Sequence, residues 1–254
     1  MTGASSGIGL ELAKQFAGNG FDLLVVAEDP GLAAAAGRLE AYGATVRAVR
    51  ADLRTYEGVE EVYAAVSADG RHLAAAALNA GVGRGGAFVD IDLAHEIEII
   101  DVNITSTVHL AKRILRDMVA RDEGRILITS SIASTMPGSF QAVYNASKSF
   151  LQSFAQALQN ELKDTNVTIT SLMPGPTDTN FFHRADMDDT TVGQQNKDDP
   201  AQVARQGFEA LMAGKDKTVA GSLKTKAQGV ANKVLPDSLK AEAHRTMAEP
   251  GSGD

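Results

Sequence analysis

The sequence contains no cysteine among its 254 residues. A disulfide framework, a thiolate metal site and a cysteine nucleophile are therefore excluded. The five histidines are scattered without the spacing of metal ligands, so no metal site is expected. A net charge of −8 opposes binding to nucleic-acid phosphates, and no nucleic-acid motif is present. Nucleic acid is not an expected partner.

Long apolar runs are also missing. The runs at residues 23–27 and 73–78 are far shorter than the roughly 18 residues that a membrane span needs. Met1 is followed by small polar residues and glycines, whereas a secretory signal has a basic and then an apolar stretch. These features predict no transmembrane helix and no membrane partner, and they make a cytoplasmic location the expectation.

Short apolar runs alternate with longer stretches of helical period, which is typical of βαβ units on a parallel sheet. Strands are predicted at residues 23–27, 45–49, 73–78, 125–130, 167–172 and 217–220. Helices are predicted at residues 8–17, 32–42, 96–121, 144–163 and 200–213. The pattern predicts one α/β domain over residues 1–254, with a surface loop or lid at 177–199 and a disordered tail at 249–254.

A glycine-rich turn leads directly into the first predicted helix. It reads TGASSGIG over residues 2–9. Glycines let the backbone approach a phosphate, and a helix N-terminus offers free N–H groups and partial positive charge. Taken alone, these residues fit equally well a tight turn that caps a helix.

Tyr144 and Lys148 are four residues apart near the start of a predicted helix, which places both on one face. A nearby ammonium favours the phenolate, so we expect the pKa of Tyr144 to fall below its usual value of about 10. Tyr144 would then exchange a proton near neutral pH. Ser131 follows the strand at 125–130, at the edge that normally faces a ligand. Alone, the pair also fits a solvated helix surface, and the serine an ordinary turn.

Taken together and in this order, the motifs resemble those of the short-chain dehydrogenase/reductase family. The resemblance spans nearly the whole chain and rests on the turn at 2–9, Asn79-Ala80-Gly81, Asn103, Ser131, Tyr144, Lys148 and Pro174-Gly175-Pro176-Thr177. It implies a Rossmann-type doubly wound parallel sheet in three α/β/α layers.

The resemblance also implies an enzyme that moves a hydride between a nicotinamide cofactor and a small alcohol or carbonyl substrate. Tyr144 would be the general acid/base, and Ser131 would hold the substrate oxygen. Lys148 would bind the nicotinamide ribose and lower the pKa of Tyr144, while Asn103 would position a water that relays protons from Lys148. The implied cofactor-binding residues are Gly3, Ser5, Ser6, Gly7, Ile8, Gly9, Glu28, Asp52, Leu53, Asn79, Ala80, Gly81, Tyr144, Lys148, Pro174, Gly175, Thr177 and Thr179.

Two residues of this set, Glu28 and Asp52, are acidic and would lie at the adenosine end of the cofactor. Asp52 would contact adenine, although it also fits a helix N-cap. Glu28 and Ser6 stand where relatives that use NADP often carry basic residues. A carboxylate accepts a hydrogen bond from the free 2′-hydroxyl of NAD but repels the 2′-phosphate of NADP, so NAD(H) is weakly preferred over NADP(H). Arg50 could reach the same region, and Glu28 also fits an exposed loop acid.

The start of the chain departs from the family pattern. The family places a central strand before the glycine turn, whereas only Met1 precedes it here. Without that strand, buried backbone groups of both neighbouring strands would be unpaired, at about 1–3 kcal/mol each. We therefore expect Met1 to be an internal methionine at the end of the true first strand.

The resemblance gives only general expectations for the substrate and the oligomeric state, and two alternative functions remain open. Phe181 and Phe182 lie where similar proteins shape the substrate pocket, which indicates an apolar or bulky carbonyl compound, although they also fit a loop pinned to the core. Similar proteins form homodimers or homotetramers through helices like those at 96–121 and 144–163. The alternatives are a non-catalytic dinucleotide-binding sensor or scaffold, and an epimerase or dehydratase, whose relatives tend to be longer.

Overall fold

The computed structural model describes residues 1–68, 70–232 and 235–253. These residues form two parallel sheets. In the first, β1 (Leu23–Ala27) pairs with β2 (Val46–Arg50). The second has the order β3 (Ala75–Leu78), β4 (Gly124–Thr129), β5 (Val167–Pro174) and β6 (Lys217–Ala220).

Helices connect the strands. They are α1 (Gly7–Gly18), α2 (Leu32–Glu40), α3 (Tyr56–Ser67), α4 (Leu93–Ile99), α5 (Ser106–Arg121), α6 (Ala142–Glu161), α7 (Phe181–Arg184), α8 (Thr191–Gln194), α9 (Pro200–Met212), α10 (Leu223–Ala231) and α11 (Asp237–Ala248). A π-helical segment, Ile100–Thr105, joins α4 to α5, and a 3₁₀ turn, Ile132–Thr135, follows β4.

Successive side chains of β4 alternate between two apolar cores, one on each face of the sheet. In β4, Ile126 and Ile128 pack with residues of α3, α5 and α6. The intervening Leu127 packs with Leu12 of α1 and Phe208 of α9. The predicted three-layer, Rossmann-type α/β fold is therefore confirmed.

Thr2 connects the two sheets. Its backbone N–H donates to the Ala77 carbonyl in β3 at 3.0 Å, and it forms a parallel bridge with Val26 in β1. Its Oγ1 accepts hydrogen bonds from the backbone N–H groups of Asn79 and Ala80, at 2.9 and 3.1 Å. Backbone and side chain of this one buried residue thus join the strand ends that carry the glycine turn and the Asn79-Ala80-Gly81 segment.

Residues 1–4 occupy part of the central strand position that we expected to be vacant. The Met1 nitrogen donates to the Leu24 carbonyl, and the Val26 N–H donates to the Met1 carbonyl, both at 2.9 Å. Leu23 and Ala75, at the amino ends of β1 and β3, are partly exposed. Among the described residues, residues 1–4 thus pair with Leu24 and Val26 of β1 and with Ala77 of β3.

Two segments differ from the sequence-based expectation. Within 177–199, expected as a loop or lid, α7 and α8 form because Phe182, Ala185 and Met187 bury their side chains against Ala248 of α11. The tail at 249–254, expected to be disordered, closes on this segment over residues 249–253. The Gly253 N–H donates to the Asp189 carbonyl, and the Thr191 hydroxyl donates to the Ser252 carbonyl. Asp254 lies outside the described residues.

Substituting Thr2→Val tests the junction between the sheets. The substitution keeps the shape of the side chain but leaves the Asn79 and Ala80 N–H groups without their acceptor. We expect the free energy of unfolding, measured by urea titration, to fall by about 1–3 kcal/mol. The matched control is Thr170→Val in β5, because the buried Thr170 hydroxyl has no hydrogen-bond partner among the described residues. Equal urea midpoints for the two variants would contradict the account.

Candidate active site

A cavity of about 510 Å³ opens at the carboxyl ends of β3, β4 and β5, next to the N-terminus of α1. Its volume lies within the roughly 300–1,000 Å³ of ligand sites, and this edge of a parallel sheet is where α/β proteins bind ligands. The predicted site residues on its walls are Gly3, Ser5, Ser6, Gly7, Ile8, Gly9, Asn79, Ala80, Gly81, Ser131, Tyr144, Lys148, Pro174, Gly175, Thr177 and Thr179.

The glycine turn has backbone geometry that only glycine adopts easily. Gly3 and Gly7 have φ angles of +66° and +55°. A Cβ atom on Gly9 would lie 2.0 Å from the Gly3 carbonyl oxygen. The side chain of Ser6, the N-cap residue of α1, makes no capping hydrogen bond among the described residues. Free amides at a helix N-terminus beside a cradle that side chains would fill fit the pyrophosphate of a dinucleotide.

The Asn79-Ala80-Gly81 segment packs directly behind the turn. A Cβ on Gly3 would come within 2.9 Å of the Ala80 Cα. The Asn79 amide nitrogen donates to the Thr2 carbonyl at 3.3 Å, and its Oδ1 accepts from the Thr129 hydroxyl at 3.1 Å. This side chain therefore connects the turn to the end of β4.

Ser131, Tyr144 and Lys148 meet on the opposite wall. The side chains of Ser131 and Tyr144 both line this wall. Lys148, one helical turn after Tyr144, places its Nζ 5.7 Å from the centre of the tyrosine ring and donates to the Thr129 carbonyl at 3.0 Å. The wall thus combines a hydroxyl pair with a buried amine.

The expected direction of the Tyr144 pKa shift is wrong for this structure. Burial raises the pKa of the Tyr144 phenol to about 12, and the neighbouring Ser131 hydroxyl opposes only part of that rise. Burial also lowers the pKa of the Lys148 amine to about 8. Attraction between the two charged forms favours the phenolate, but the cost of removing each charge from water dominates here.

Asn103 lies behind the cavity wall, in the π-helical segment. Its Oδ1 accepts from the Val82 N–H at 2.9 Å, and its Nδ2 donates to the Val82 carbonyl at 3.0 Å and to the Ser147 hydroxyl at 2.9 Å. A Cβ on Gly81 would lie 3.3 Å from Asn103 Oδ1 and 3.1 Å from Lys148 Nζ. Asn103 and Lys148 therefore flank the same glycine.

Glu28, Asp52 and Leu53 lie outside the cavity. The Leu53 side chain is buried in a core, and Thr55, not Asp52, caps α3. The Asp52 carboxylate accepts from the Arg54 backbone N–H and side chain, and the side-chain hydrogen bond lowers the pKa of Asp52. Arg54, the partner of Asp52, was not predicted as a site residue, because the residues around it in the sequence do not distinguish it from any surface arginine.

The helices after residue 180 complete the cavity with side chains that were not singled out. His244 of α11 lines it, and its Nδ1 lies 2.9 Å from the Ser139 carbonyl. Met247 of α11 lines the cavity as well, and so does Gln141, the residue that precedes α6. Phe181, which was expected near the substrate, stands 5.2 Å from the Tyr144 ring, centre to centre.

The described residues contain neither a helix suited to crossing a membrane nor a cluster of metal-binding side chains. Among the helices of the described residues, none has both the length and the apolar character to cross a membrane. The same part of the chain contains no group of three or more acidic or histidine side chains arranged to hold a metal ion.

Known proteins share both the sequence pattern and the architecture. A family model described as short chain dehydrogenase matches residues 1–190. The oxidoreductase UcpA of Salmonella typhimurium is 29% identical over 214 residues, which cover 83% of this chain and 78% of that protein. A short-chain dehydrogenase from Sphingobium yanoikuyae, solved in complex with NADPH, superposes with a TM-score of 0.81 at 28% identity, over 86% of this chain and 85% of that one. A short-chain dehydrogenase/reductase from Burkholderia phymatum, solved with NAD, shares the fold with a TM-score of 0.82 at 23% identity, over 95% and 93%.

Substituting Lys148→Met tests the burial of the amine through pH. With a folded-state pKa of about 8 against an ordinary value of 10.5, the unfolded chain holds the Lys148 proton more tightly than the folded chain between these values. The free energy of unfolding of the wild type should therefore rise relative to that of Lys148→Met as pH increases from 8 to 10.5. Urea titrations across this window provide the measurement. A difference in the free energy of unfolding that stays constant with pH would show that the pKa of Lys148 is not lowered.

Proposed function

The chain belongs to the short-chain dehydrogenase family of oxidoreductases, and we propose that it uses a nicotinamide cofactor to interconvert a small alcohol and its carbonyl compound. The observation that carries the proposal is the cavity on which the glycine turn and the side chains of Ser131, Tyr144 and Lys148 converge. A non-catalytic dinucleotide-binding protein would need the turn alone. The three side chains on the opposite wall therefore favour an enzyme.

The cofactor would be held by the turn and by segments on the strand ends. The free N–H groups of α1 suit its pyrophosphate, and Lys148 suits a ribose hydroxyl. The segments at 79–81 and 174–179 would flank the nicotinamide half. The cofactor supplies or accepts the hydride.

Tyr144 would donate or accept the proton that accompanies hydride transfer. Since its pKa of about 12 keeps the phenol protonated at neutral pH, Tyr144 is prepared to donate to a carbonyl oxygen, and the reverse step would require the phenolate. Ser131 would bind the same oxygen. Asn103 Oδ1 accepts one hydrogen bond from the Val82 N–H, and its second lone pair would accept one from a water that relays protons outward from Lys148.

The substrate end of the cavity favours an apolar compound. Phe181, Met136 and Met247 line it. Glu28 argues for a weak preference for NAD(H) over NADP(H), because its carboxylate would accept a hydrogen bond from the ribose 2′-hydroxyl but repel a 2′-phosphate.

We also propose a homodimer or homotetramer that assembles through α4, α5 and α6. Leu93 and Ile97 of α4 are 69% and 45% exposed, and Phe150 of α6 is 41% exposed. Apolar side chains that protrude from neighbouring helices are typical of subunit contacts. Sedimentation velocity should show a multimer for the wild type and a smaller species for Ile97→Asp. Leu239→Asp, on the exposed side of α11, is the control and should leave the assembly intact. A monomeric wild type would refute the assembly.

Substituting Tyr144→Phe tests the proposed acid/base role. The variant loses the only phenolic proton on the cavity wall of the described residues but keeps the ring, so turnover should fall by at least about 100-fold. Binding of NADH, followed by nicotinamide fluorescence, should remain within about twofold of wild type. Oxidation of NAD(P)H with a panel of ketones provides the activity measurement. Tyr42→Phe, which alters an exposed tyrosine after α2, is the control. Retained turnover in Tyr144→Phe would refute the role.

A further inference from the structure

His244 of α11 brings a hydrogen-bond acceptor to the cavity. Its Nδ1 lies 2.9 Å from the Ser139 carbonyl oxygen, which can only accept a hydrogen bond, so Nδ1 carries the proton. Burial lowers the pKa of His244 more than this hydrogen bond raises it, and the imidazole is therefore neutral at pH 7. Nε2, on the side of the ring away from Ser139, then has a free lone pair. It has no hydrogen-bond partner among the described residues, and His244 is only 6% exposed and lines the cavity.

The side-chain amide of Gln141 is a second polar group on the same cavity. Gln141 is the N-cap residue of α6 and lies three residues before Tyr144, and these two positions adjoin at the start of a helix. The Gln141 amide nitrogen is buried and has no hydrogen-bond partner among the residues that the structure describes. Because the terminal torsion of an amide side chain is broad, this group can turn its N–H toward a bound molecule.

The segment at residues 136–141 that carries these contacts is fixed on two sides. The Ser139 hydroxyl donates to the Ala241 carbonyl of α11 at 3.1 Å. The Phe140 carbonyl accepts from the Gly86 N–H at 3.0 Å, and Phe140 has a φ angle of +62°. A non-glycine residue in this left-handed region is strained, and such strain is concentrated at functional sites. The two polar groups are therefore positioned before any ligand binds.

An acceptor and a donor at neighbouring points of one wall select a hydroxyl group. Ser139, which is bonded to His244, is two residues from Gln141, a distance of at most about 7 Å along the chain. Neutral His244 Nε2 can only accept, so a ligand must bring an O–H or N–H group, whereas the Gln141 N–H needs an acceptor. A hydroxyl group satisfies both side chains. A carbonyl or carboxylate group has no proton to offer Nε2. Met136 and Met247 line the same cavity and suit an apolar ligand body.

We propose that the substrate is an apolar carbonyl compound with a hydroxyl group away from the reacting carbon, which donates to His244 Nε2 and accepts from the Gln141 amide. The inference rests on the proposed function, in which Tyr144 and Ser131 bind the carbonyl oxygen. His244 and Gln141 would determine which carbonyl compound binds, and they would take no part in hydride or proton transfer.

Paired ketones test this recognition. Straight-chain methyl ketones with and without a terminal hydroxyl group, over a series of chain lengths, are reduced with NAD(P)H, and the ratio of kcat/KM values gives the hydroxyl preference at each length. At one length or more, the wild type should prefer the hydroxylated ketone about five- to tenfold. His244→Phe keeps a ring without Nε2. It should lose this preference through a higher KM for the hydroxylated ketone and should still reduce the plain one.

A second variant and a matched control separate recognition from structure. Gln141→Leu removes the donor and should also lower the hydroxyl preference, which keeps the test available if His244→Phe does not fold. Ser139→Ala removes the hydrogen bond with Ala241, between the same segment and α11, but leaves both polar groups on the cavity. It should keep the wild-type preference. An equal loss in Ser139→Ala would assign the preference to the structure of the segment and overturn the inference.

The remaining outcomes distinguish this inference from the proposed function. Ketones that are reduced without a hydroxyl preference at any length, or with a preference that survives in both His244→Phe and Gln141→Leu, would overturn this inference alone. Methyl ketones with a terminal carboxylate should be poorer substrates than the hydroxylated ones, and a preference for them that depends on His244 would contradict a neutral acceptor. A wild type that reduces none of the ketones would overturn the proposed function and this inference with it.

Discussion

The site depends on the junction that Thr2 makes between β1 and β3. Its backbone pairs with both sheets, and its hydroxyl oxygen accepts the N–H groups that begin the Asn79-Ala80-Gly81 segment. This pairing brings the glycine turn so close to the segment that a Cβ on Gly3 would contact the Ala80 backbone. The position of the α1 N-terminus relative to the strand ends, and with it one whole wall of the cavity, follows from these few hydrogen bonds.

The opposite wall is governed by desolvation. Tyr144 and Lys148 share one face of α6, yet burial moves the pKa of the phenol upward and that of the amine downward. Both shifts favour the neutral forms, because each charged form would lose its hydration. A protonated Tyr144 is the form suited to donating a proton. The cavity therefore has one wall of backbone amides and, opposite it, a wall on which Tyr144 is neutral at pH 7 while Lys148, with a pKa of about 8, still largely carries its charge.

Much of this arrangement could be predicted from the sequence, because short apolar runs and ordered motifs are local signals. β1 and β6 have the predicted bounds, and the predicted helix at 144–163 corresponds to α6. What could not be predicted depends on contacts between distant residues. α11 closes the cavity through His244, whose partner Ser139 is far away in the sequence. The hydrogen bonds of Arg54 with Glu28 and Glu98 form only when folding brings these distant residues together. The pKa of Tyr144 depends on burial, which spacing alone does not reveal.

We propose the glycine turn at residues 2–9 as the cradle for a dinucleotide. The most direct test is to titrate NADH into wild type, Gly9→Ala and Gly37→Ala. A methyl group on Gly9 would collide with the Gly3 carbonyl, whereas one on Gly37, in α2, meets nothing within 4 Å. The account predicts that Gly9→Ala loses NADH binding and that Gly37→Ala binds like wild type. Undiminished binding by Gly9→Ala would contradict it.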